Sequence, residues 1–143
     1  MSDTIRVGLI GYGYASKTFH APLIAGTVGM ELAAISSSDE SKVKADWPGV
    51  QVVSEPRHLF NDPSIDLIVI PTPNHTHFPL ATAALEPGKH LVVDNTFTVA
   101  LSPARELDEL ARRPGRVPTV FHNRHPDSDF LTLEPLLAAG PPA

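Results

Sequence analysis

Cysteine is missing from the 143-residue sequence, and aromatic residues make up only 6% of it. The absence of cysteine excludes a disulfide scaffold, a cysteine-ligated zinc or iron–sulfur site and a thiol nucleophile. Long apolar runs are missing too, since none approaches the roughly 18 residues that a membrane-spanning helix needs. The first ten residues carry Asp3 and Arg6 and do not resemble a targeting segment. We therefore expect a cytoplasmic protein that does not associate with membranes.

Positive charge is also limited. Eleven Lys and Arg residues stand against sixteen Asp and Glu, which gives a net charge of −5 with neutral histidines, and the basic residues are scattered. A broad surface for phosphate backbones is therefore not expected, and nucleic acid is not an expected partner. Because 42% of the residues are apolar and the length is typical of one domain, we expect residues 1–143 to form a single domain.

Short apolar runs alternate with helical patterns along the whole chain. The runs predict six strands, at Ile5 to Ile10, Glu31 to Ser36, Val50 to Val53, Asp66 to Ile70, His90 to Asp94 and Val117 to His122. The helical patterns cover Ala15 to Ala25 with a break at Pro22, a segment capped near Ser38 or Asp39, Pro56 to Asn61, His77 to Leu85, Ser102 to Arg113 and Phe130 to Ala139. In the fifth pattern Ser102 is expected to cap the helix and Pro103 to open it.

This alternation predicts an α/β fold with a doubly wound parallel sheet in three layers. Parallel neighbours need crossover connections, and helices in those connections cover both faces of the sheet. The continuous apolar runs agree with strands that are buried on both sides.

The segment Gly11 to Ser16 follows the first predicted strand and matches the first two glycines of a G-x-G-x-x-G motif. Gly11 permits a tight turn, Gly13 allows backbone N–H groups to approach a pyrophosphate, and the helix that follows favours an anion at its start. Ser16 stands where the third small residue is expected. The alternative is a glycine-rich turn without a ligand, but the strand before and the helix after favour a dinucleotide site.

The tip of the second strand is expected beside the adenosine ribose. The serines at 36–38 lie there, with Lys42 and Lys44 shortly after them, and could accept a 2′-phosphate. Asp39 would have to bend back to hold a 2′-hydroxyl, so NADP is slightly favoured over NAD. A capping role for Ser38 or Asp39 is compatible with either cofactor.

The segment Pro71 to His77 follows the fourth strand, at the edge of the sheet where open α/β folds bind ligands. Asn74, Thr76 and His77 offer polar groups to a ribose or a nicotinamide, and a helix-capping role is the alternative. Metal binding by His75 and His77 is not expected, because residues two apart do not share a helical face and no third ligand is evident.

Asp94, Asn95 and Thr96 follow the fifth strand at the same edge. Asp94 could act as a base or an orienting carboxylate, whereas the side chains of Asn95 and Thr96 do not exchange protons in a useful range. His122 and His125 have suitable ordinary pKa values, although loop histidines are usually only solvated.

Several motifs in this order resemble the cofactor domain of the glucose-fructose oxidoreductase, inositol dehydrogenase and MocA family. They are I-R-V-G-L-I-G-Y-G-Y-A-S from Ile5, F-H-A-P-L-I at Phe19 to Ile24, V-I-P-T-P-N-x-x-H at Val69 to His77, G-K-H-L-V-V-D at Gly88 to Asp94 and F-H-N-R at Phe121 to Arg124. The resemblance covers residues 3–135 and is closest to NADP-linked scyllo-inositol dehydrogenase-like members.

The resemblance implies hydride transfer between a nicotinamide dinucleotide, NADP or NAD, and the carbinol carbon of a sugar or cyclitol. The residues implied to contact the cofactor are Gly11, Gly13, Tyr14, Ala15 and Ser16 at the pyrophosphate, Ser36, Ser37 and Ser38 at the ribose, and Thr72, Pro73, Asn74 and His77 towards the nicotinamide. Asp94, at the same edge of the sheet, is also expected to contact the cofactor.

Two departures from the family bear on activity. The family's Glu-Lys-Pro motif supplies a lysine for proton transfer, and this chain has Asp94-Asn95-Thr96 there, so no catalytic role is carried over. Members continue into a C-terminal domain that forms the substrate floor, whereas this sequence ends at Ala143. We therefore expect a truncated or degenerate copy, or an excised cofactor domain, that is inactive alone. The alternative to the cofactor half of an oxidoreductase is a catalytically silent dinucleotide-binding module, and a homodimer formed through exposed apolar surface is a third hypothesis.

Overall fold

A single parallel sheet organises the part of the chain that the structure describes. The computed structural model describes residues 4–95, 101–112 and 117–121. Its strands are β1 (Ile5–Ile10), β2 (Met30–Ser36), β3 (Gln51–Val53), β4 (Leu67–Ile70), β5 (His90–Asp94) and β6 (Pro118–Phe121). They lie in the order β3-β2-β1-β4-β5-β6, and every neighbouring pair is parallel. The predicted doubly wound α/β fold is confirmed.

Helices connect these strands. After the π-helical segment Ser16–His20, they are α1 (Ala21–Gly26), α2 (Glu40–Asp46), α3 (Pro56–Phe60), α4 (Asn74–Leu85) and α5 (Leu101–Ala111). The strand order reverses direction at β1 and β4, because β2 and β3 extend to one side of β1 while β4, β5 and β6 extend to the other. In open α/β sheets this is the point where ligands bind, outside the carboxyl ends of the strands.

Apolar side chains from the strands are buried in two cores. One core contains Val7, Leu9, Ile35 and Val43. The other contains Ile10, Ile68, Ile70, Leu91 and Val93, which pack with Leu85 of α4 and Leu107 of α5. Each fully buried aliphatic side chain contributes about 1.5–3 kcal/mol. The two cores hold the ends of the central strands in fixed relative positions.

The break predicted at Pro22 takes a specific form. The chain makes the wider π-helical turn before the proline, where the Ala21 N–H donates to the Ser16 carbonyl. Pro22 then stands in the first turn of α1, where its missing N–H has no partner to lose. The π-helical segment therefore ends before the proline, and α1 begins with Pro22 in its first turn.

Two predicted helix starts were wrong. Helix α4 begins at Asn74 rather than His77, because the Thr76 N–H donates to the Pro73 carbonyl at 2.8 Å and closes the first turn directly after the proline. Helix α5 begins at Leu101, so Ser102 lies inside the helix and does not cap it. Leu107 and Ala111 form the buried side of this helix.

Some predicted features lie outside the described residues. These are the helix at Phe130 to Ala139, the side chains of Thr96, His122 and His125, and the end of the F-H-N-R motif. Among the helices that the structure describes, none is long and apolar enough to cross a membrane.

Candidate dinucleotide-binding site

A cleft of about 520 Å³ opens at the carboxyl ends of β1, β2 and β4. Residues from four segments that are distant in sequence line it. They are Ile10, Gly11, Tyr12 and Gly13; Ser36, Ser37, Ser38, Asp39 and Lys42; Pro56; and Thr72, Pro73, Thr76 and Leu80. Seven of the residues implied by the family resemblance therefore meet in one place: Gly11, Gly13, Ser36, Ser37, Ser38, Thr72 and Pro73.

Gly11 directly follows β1 and contacts the ends of two neighbouring segments, β2 and the loop after β4. Its φ is +79°, in the left-handed region that favours glycine, and its N–H donates to the Ser36 carbonyl at 2.7 Å. A Cβ at this position would lie 3.4 Å from Cγ2 of Thr72. The turn after β1 thus requires glycine for its backbone and brings the loop after β4 close to it.

Gly13 has no comparable structural requirement. Its φ is not positive, and a Cβ built there would meet no described atom within 4 Å. Neither backbone strain nor packing therefore explains the glycine. The residue is exposed on the cleft wall, where the missing side chain leaves room for a bound group. This observation fits a dinucleotide, whose pyrophosphate must approach the backbone closely.

The residue between the two glycines is anchored to α2. Tyr12 is 5% exposed, and its hydroxyl donates to Oδ2 of Asp46 at 2.9 Å. Lys17 Nζ lies 2.8 Å from the same oxygen. These two donors lower the pKa of Asp46, while burial raises the pKa of Tyr12. The sequence pattern had not indicated Tyr12, because an aromatic residue at the variable position of the motif carries no signal about its partner.

The three serines at the carboxyl end of β2 have different surroundings. Ser36 is buried, the Ser37 N–H donates to the Val53 carbonyl at 2.9 Å, and Ser38 is exposed. The Ser37 hydroxyl accepts from the Asp39 N–H at 3.1 Å. Of the three, only Ser38 presents its side chain mainly to solvent.

Asp39 is confirmed as the cap of α2. Its Oδ1 accepts from the Lys42 N–H at 3.1 Å and from the Ser41 hydroxyl at 2.6 Å, and these contacts lower the pKa of Asp39. Lys42 lines the cleft. Lys44 does not, since its Nζ donates to the carbonyls of Val50 at 2.7 Å and Pro48 at 3.3 Å.

The loop after β4 contributes Thr72 and Pro73 to the cleft, and the first turn of α4 contributes Thr76. Asn74 is exposed and is not among the lining residues. His77 is fully buried, and its Nε2 lies 2.6 Å from the Thr72 carbonyl. Thr76 is absent from the set implied by the family resemblance. Thr76 lies at the cleft because α4 starts at Asn74, which places Thr76 in the first turn of that helix.

The other implied residues lie outside the cleft lining. Tyr14 is 77% exposed and meets the Phe19 ring edge-on, with ring centroids 6.0 Å apart. Ala15 is half-buried, and Ser16 is 1% exposed beneath the turn. Ser16 thus takes the packing position expected of the motif's third small residue.

Asp94 forms a pair with a histidine that the sequence pattern had not singled out. Oδ2 of Asp94 lies 3.6 Å from Nε2 of His20, which is 4% exposed, and the His20 ring packs on Phe121 with centroids 4.7 Å apart. Burial lowers the pKa of His20, and the Asp94 carboxylate opposes this without cancelling it. The Asn95 N–H donates to Oδ1 of Asp94 at 3.2 Å.

Within the described ranges, no group of three or more His, Asp or Glu side chains could hold a metal ion.

Comparison with known proteins agrees with this geometry. Residues 5–122 match the family model described as an oxidoreductase family with an NAD-binding Rossmann fold. The chain belongs to the glucose-fructose oxidoreductase, inositol dehydrogenase and MocA family. The resemblance found in the motifs is confirmed, and the sheet is this family's NAD-binding region.

Individual relatives are similar over nearly the whole chain. The uncharacterized oxidoreductase YdgJ of Escherichia coli is 80% identical, covering 98% of this chain and 40% of YdgJ. The scyllo-inositol 2-dehydrogenase (NADP(+)) IolW of Bacillus subtilis is 36% identical, covering 96% of this chain and 38% of IolW. The structure of Synechocystis biliverdin reductase with biliverdin and NADP+ has a TM-score of 0.85 at 31% identity, covering 94% of this chain and 43% of the reductase. The chain thus spans about two fifths of the length of these relatives.

Proposed function

We propose that this chain binds a nicotinamide dinucleotide in the cleft and provides the cofactor-binding half of an oxidoreductase. The observation that carries the proposal is Gly13, a glycine on the cleft wall that neither backbone strain nor packing requires. The backbone at positions 11–13 would face the pyrophosphate, the segment after β2 the adenosine ribose, and the loop after β4 the nicotinamide side. The bound nicotinamide would supply hydride transfer, and the chain's residues would orient it and exclude water from one face.

We favour NADP over NAD. A 2′-phosphate needs cations and hydroxyl donors, and Ser38 and Lys42 are both available at the cleft. The carboxylate expected to hold a 2′-hydroxyl is that of Asp39, which already accepts hydrogen bonds from Ser41 and Lys42. The name of IolW as an NADP(+) enzyme supports this preference.

A cyclitol or sugar is the proposed substrate class. It is supported by similarity to IolW, which is named a scyllo-inositol 2-dehydrogenase. Biliverdin reductase has the same fold over this region and is complexed with a chemically different ligand. The cofactor region therefore constrains the substrate weakly, and groups outside the cleft would select it.

A catalytically silent dinucleotide-binding module is the second candidate. Asn95 favours it, because this residue follows Asp94 where the family motif has its proton-transferring lysine, and an amide does not titrate in the useful range. The loss of general acid–base help reduces a rate by about a hundredfold to ten-thousandfold.

Calorimetric titration with NADPH and NADH tests cofactor binding, and absorbance during incubation with myo-inositol or scyllo-inosose tests turnover. We expect NADPH to bind more tightly than NADH, with little turnover. In the family, the substrate floor belongs to a C-terminal domain, so we expect Asn95→Lys alone to restore little activity. Appreciable turnover by that variant would show that the lysine was the limiting group. A folded chain that binds neither cofactor would refute the proposal.

We also propose self-association through an apolar groove at the amino ends of β1, β4 and β5. The groove has a volume of about 500 Å³ and includes Ile5, Leu67, Val92 and Val117, of which Ile5 is 45% and Val117 61% exposed. Exposed apolar area of this kind favours association. A monomer by light scattering at high concentration would contradict this.

A further inference from the structure

A short chain of hydrogen bonds links the loop after β4 to the first turn of α4. Oγ1 of Thr72 lies 2.6 Å from Oγ1 of Thr76. The Thr76 hydroxyl also lies 2.7 Å from the Pro73 carbonyl oxygen. Both threonine side chains are partly exposed and line the cleft.

The direction of these hydrogen bonds follows from the donors available. A carbonyl oxygen can only accept, so the Thr76 hydroxyl donates its single hydrogen to Pro73. Oγ1 of Thr76 can then meet Thr72 only as an acceptor. Two hydroxyl oxygens 2.6 Å apart would repel each other without a hydrogen between them, so Thr72 donates to Thr76. The only hydrogen on the Thr72 hydroxyl is thereby used.

The position of Thr72 is fixed from two further sides. Its carbonyl accepts from Nε2 of the fully buried His77 at 2.6 Å, which also shows that this nitrogen carries a hydrogen. Its methyl group lies close to Gly11, at 3.4 Å from where a Cβ would be. The hydroxyl oxygen is therefore held at the cleft wall.

We propose that Thr72 is an acceptor-only contact that selects a hydrogen-bond donor of the dinucleotide, and that Thr76 is the positioning residue that imposes this polarity. The inference rests on the proposed cofactor binding and deepens it. The ligand group facing Thr72 is a ribose hydroxyl or the carboxamide NH₂ of the nicotinamide. A phosphate oxygen, which has no hydrogen to donate at neutral pH, is disfavoured there.

This polarity divides the cleft into two chemically distinct ends. Backbone N–H groups at the glycine turn favour an anion, whereas the lone pairs of Thr72 favour a donor. The pyrophosphate is central in the dinucleotide and would lie at the glycine turn in either orientation. In NADP, however, a reversed molecule would turn the adenosine 2′-phosphate, which is mostly deprotonated at pH 7, towards Thr72 in place of a hydrogen-bond donor.

Calorimetry on the full chain tests this assignment with Thr72→Val, Thr72→Ser, Thr76→Val and Thr76→Ser. The ligands are NADP+ and its 3-acetylpyridine analogue, in which a methyl ketone replaces the carboxamide. We expect Thr72→Val to weaken NADP+ binding about tenfold, because a ligand donor then lacks its partner, while Thr72→Ser stays within about twofold. Thr76→Val should weaken binding about threefold, and Thr76→Ser should restore it, which a general loss of packing would not explain.

The analogue identifies the donor. If the carboxamide faces Thr72, the unsubstituted chain binds the analogue more weakly and Thr72→Val has no further effect on it. If a ribose hydroxyl faces Thr72, Thr72→Val weakens both ligands equally. Either result supports the assignment. Unchanged NADP+ affinity in a folded Thr72→Val chain would overturn the assignment alone, whereas no binding by the unsubstituted chain would overturn the proposed function together with it.

Discussion

The hydroxyl of Tyr12 and the carboxylate of Asp46 lie 2.9 Å apart, and they connect the turn after β1 to the last residue of α2. Tyr12 stands between the two glycines of the cleft, and Asp46 ends the helix whose first turn carries Lys42. This hydrogen bond therefore adds to the one from the Gly11 N–H to the Ser36 carbonyl in joining the pyrophosphate end of the proposed site to its ribose end.

Replacing Tyr12 with Phe should loosen this connection. The variant keeps the buried ring and loses only the hydroxyl, so we expect the melting temperature to fall by about 3 °C and NADPH affinity to decrease about threefold. Differential scanning calorimetry and isothermal titration measure the two effects. Lys17→Met, which removes the other donor to Asp46 and leaves Tyr12 in place, is the matched control. Equal affinity in Tyr12→Phe and the unsubstituted chain would show that the turn does not need this anchor.

Gly11→Ala should mainly lower the free energy of unfolding, whereas Gly13→Ala should mainly lower the affinity for the cofactor. At Gly11 the positive φ makes any L side chain strained, and the destabilisation should be about 1–2 kcal/mol. At Gly13 the added methyl group meets no described atom, so stability should be unchanged or slightly higher, while cofactor affinity falls at least tenfold. Urea denaturation and calorimetric titration of both variants provide the measurements. Tight cofactor binding by Gly13→Ala would remove the main support for the site.

His20 should make stability depend on pH. Burial lowers its pKa, so between the ordinary value near 6.5 and the lower folded value the unfolded chain binds a proton that the folded chain does not. The free energy of unfolding should therefore decrease as the pH falls from about 7 towards 5. Urea midpoints across this range should be flatter for His20→Gln. The exposed His58 is the control, since His58→Gln should keep the slope of the unsubstituted chain. Identical slopes in all three proteins would be inconsistent with the burial argument.

Lys42→Ala should change cofactor selectivity. We expect NADPH affinity to fall about tenfold and its salt dependence to weaken, because a charge-assisted contact to the 2′-phosphate is lost. NADH affinity should stay within about twofold. Lys44→Ala is the matched control, because this ammonium donates to the Pro48 and Val50 carbonyls and does not line the cleft. A parallel loss of NADPH and NADH affinity in Lys42→Ala would place Lys42 away from the 2′-phosphate.

The strands were predictable from local sequence because each contains a short apolar run, and the runs of β1, β2 and β4 are largely buried. Both β1 and β5 have the predicted bounds, and the shifts at the other strands are confined to their ends. Helix starts were less predictable, since they depend on backbone hydrogen bonds such as that between Thr76 and Pro73. A proline pair indicates extended backbone but does not show how soon the helix begins after it.

The pairings within and beside the candidate site were not predictable in the same way. His20 and Asp94 approach each other only because the π-helical segment and the end of β5 come together, and no spacing rule connects them. Tyr12 and Asp46 are separated by 34 positions and meet through the packing of α2. The acceptor-only polarity proposed for Thr72 likewise depends on the distances between three oxygen atoms, those of the Thr72 and Thr76 hydroxyls and of the Pro73 carbonyl.

The sequence by itself determined the alternation of strands and helices, the parallel sheet and the glycine turn, because these depend on local hydrophobicity, chirality and chain stiffness. Only the tertiary structure decided which of the implied residues share a cleft, which lysine lines it and which threonine atoms remain available to a ligand. Those outcomes depend on how close side chains from different segments come to one another, and these separations are set by the packing of the two cores as a whole.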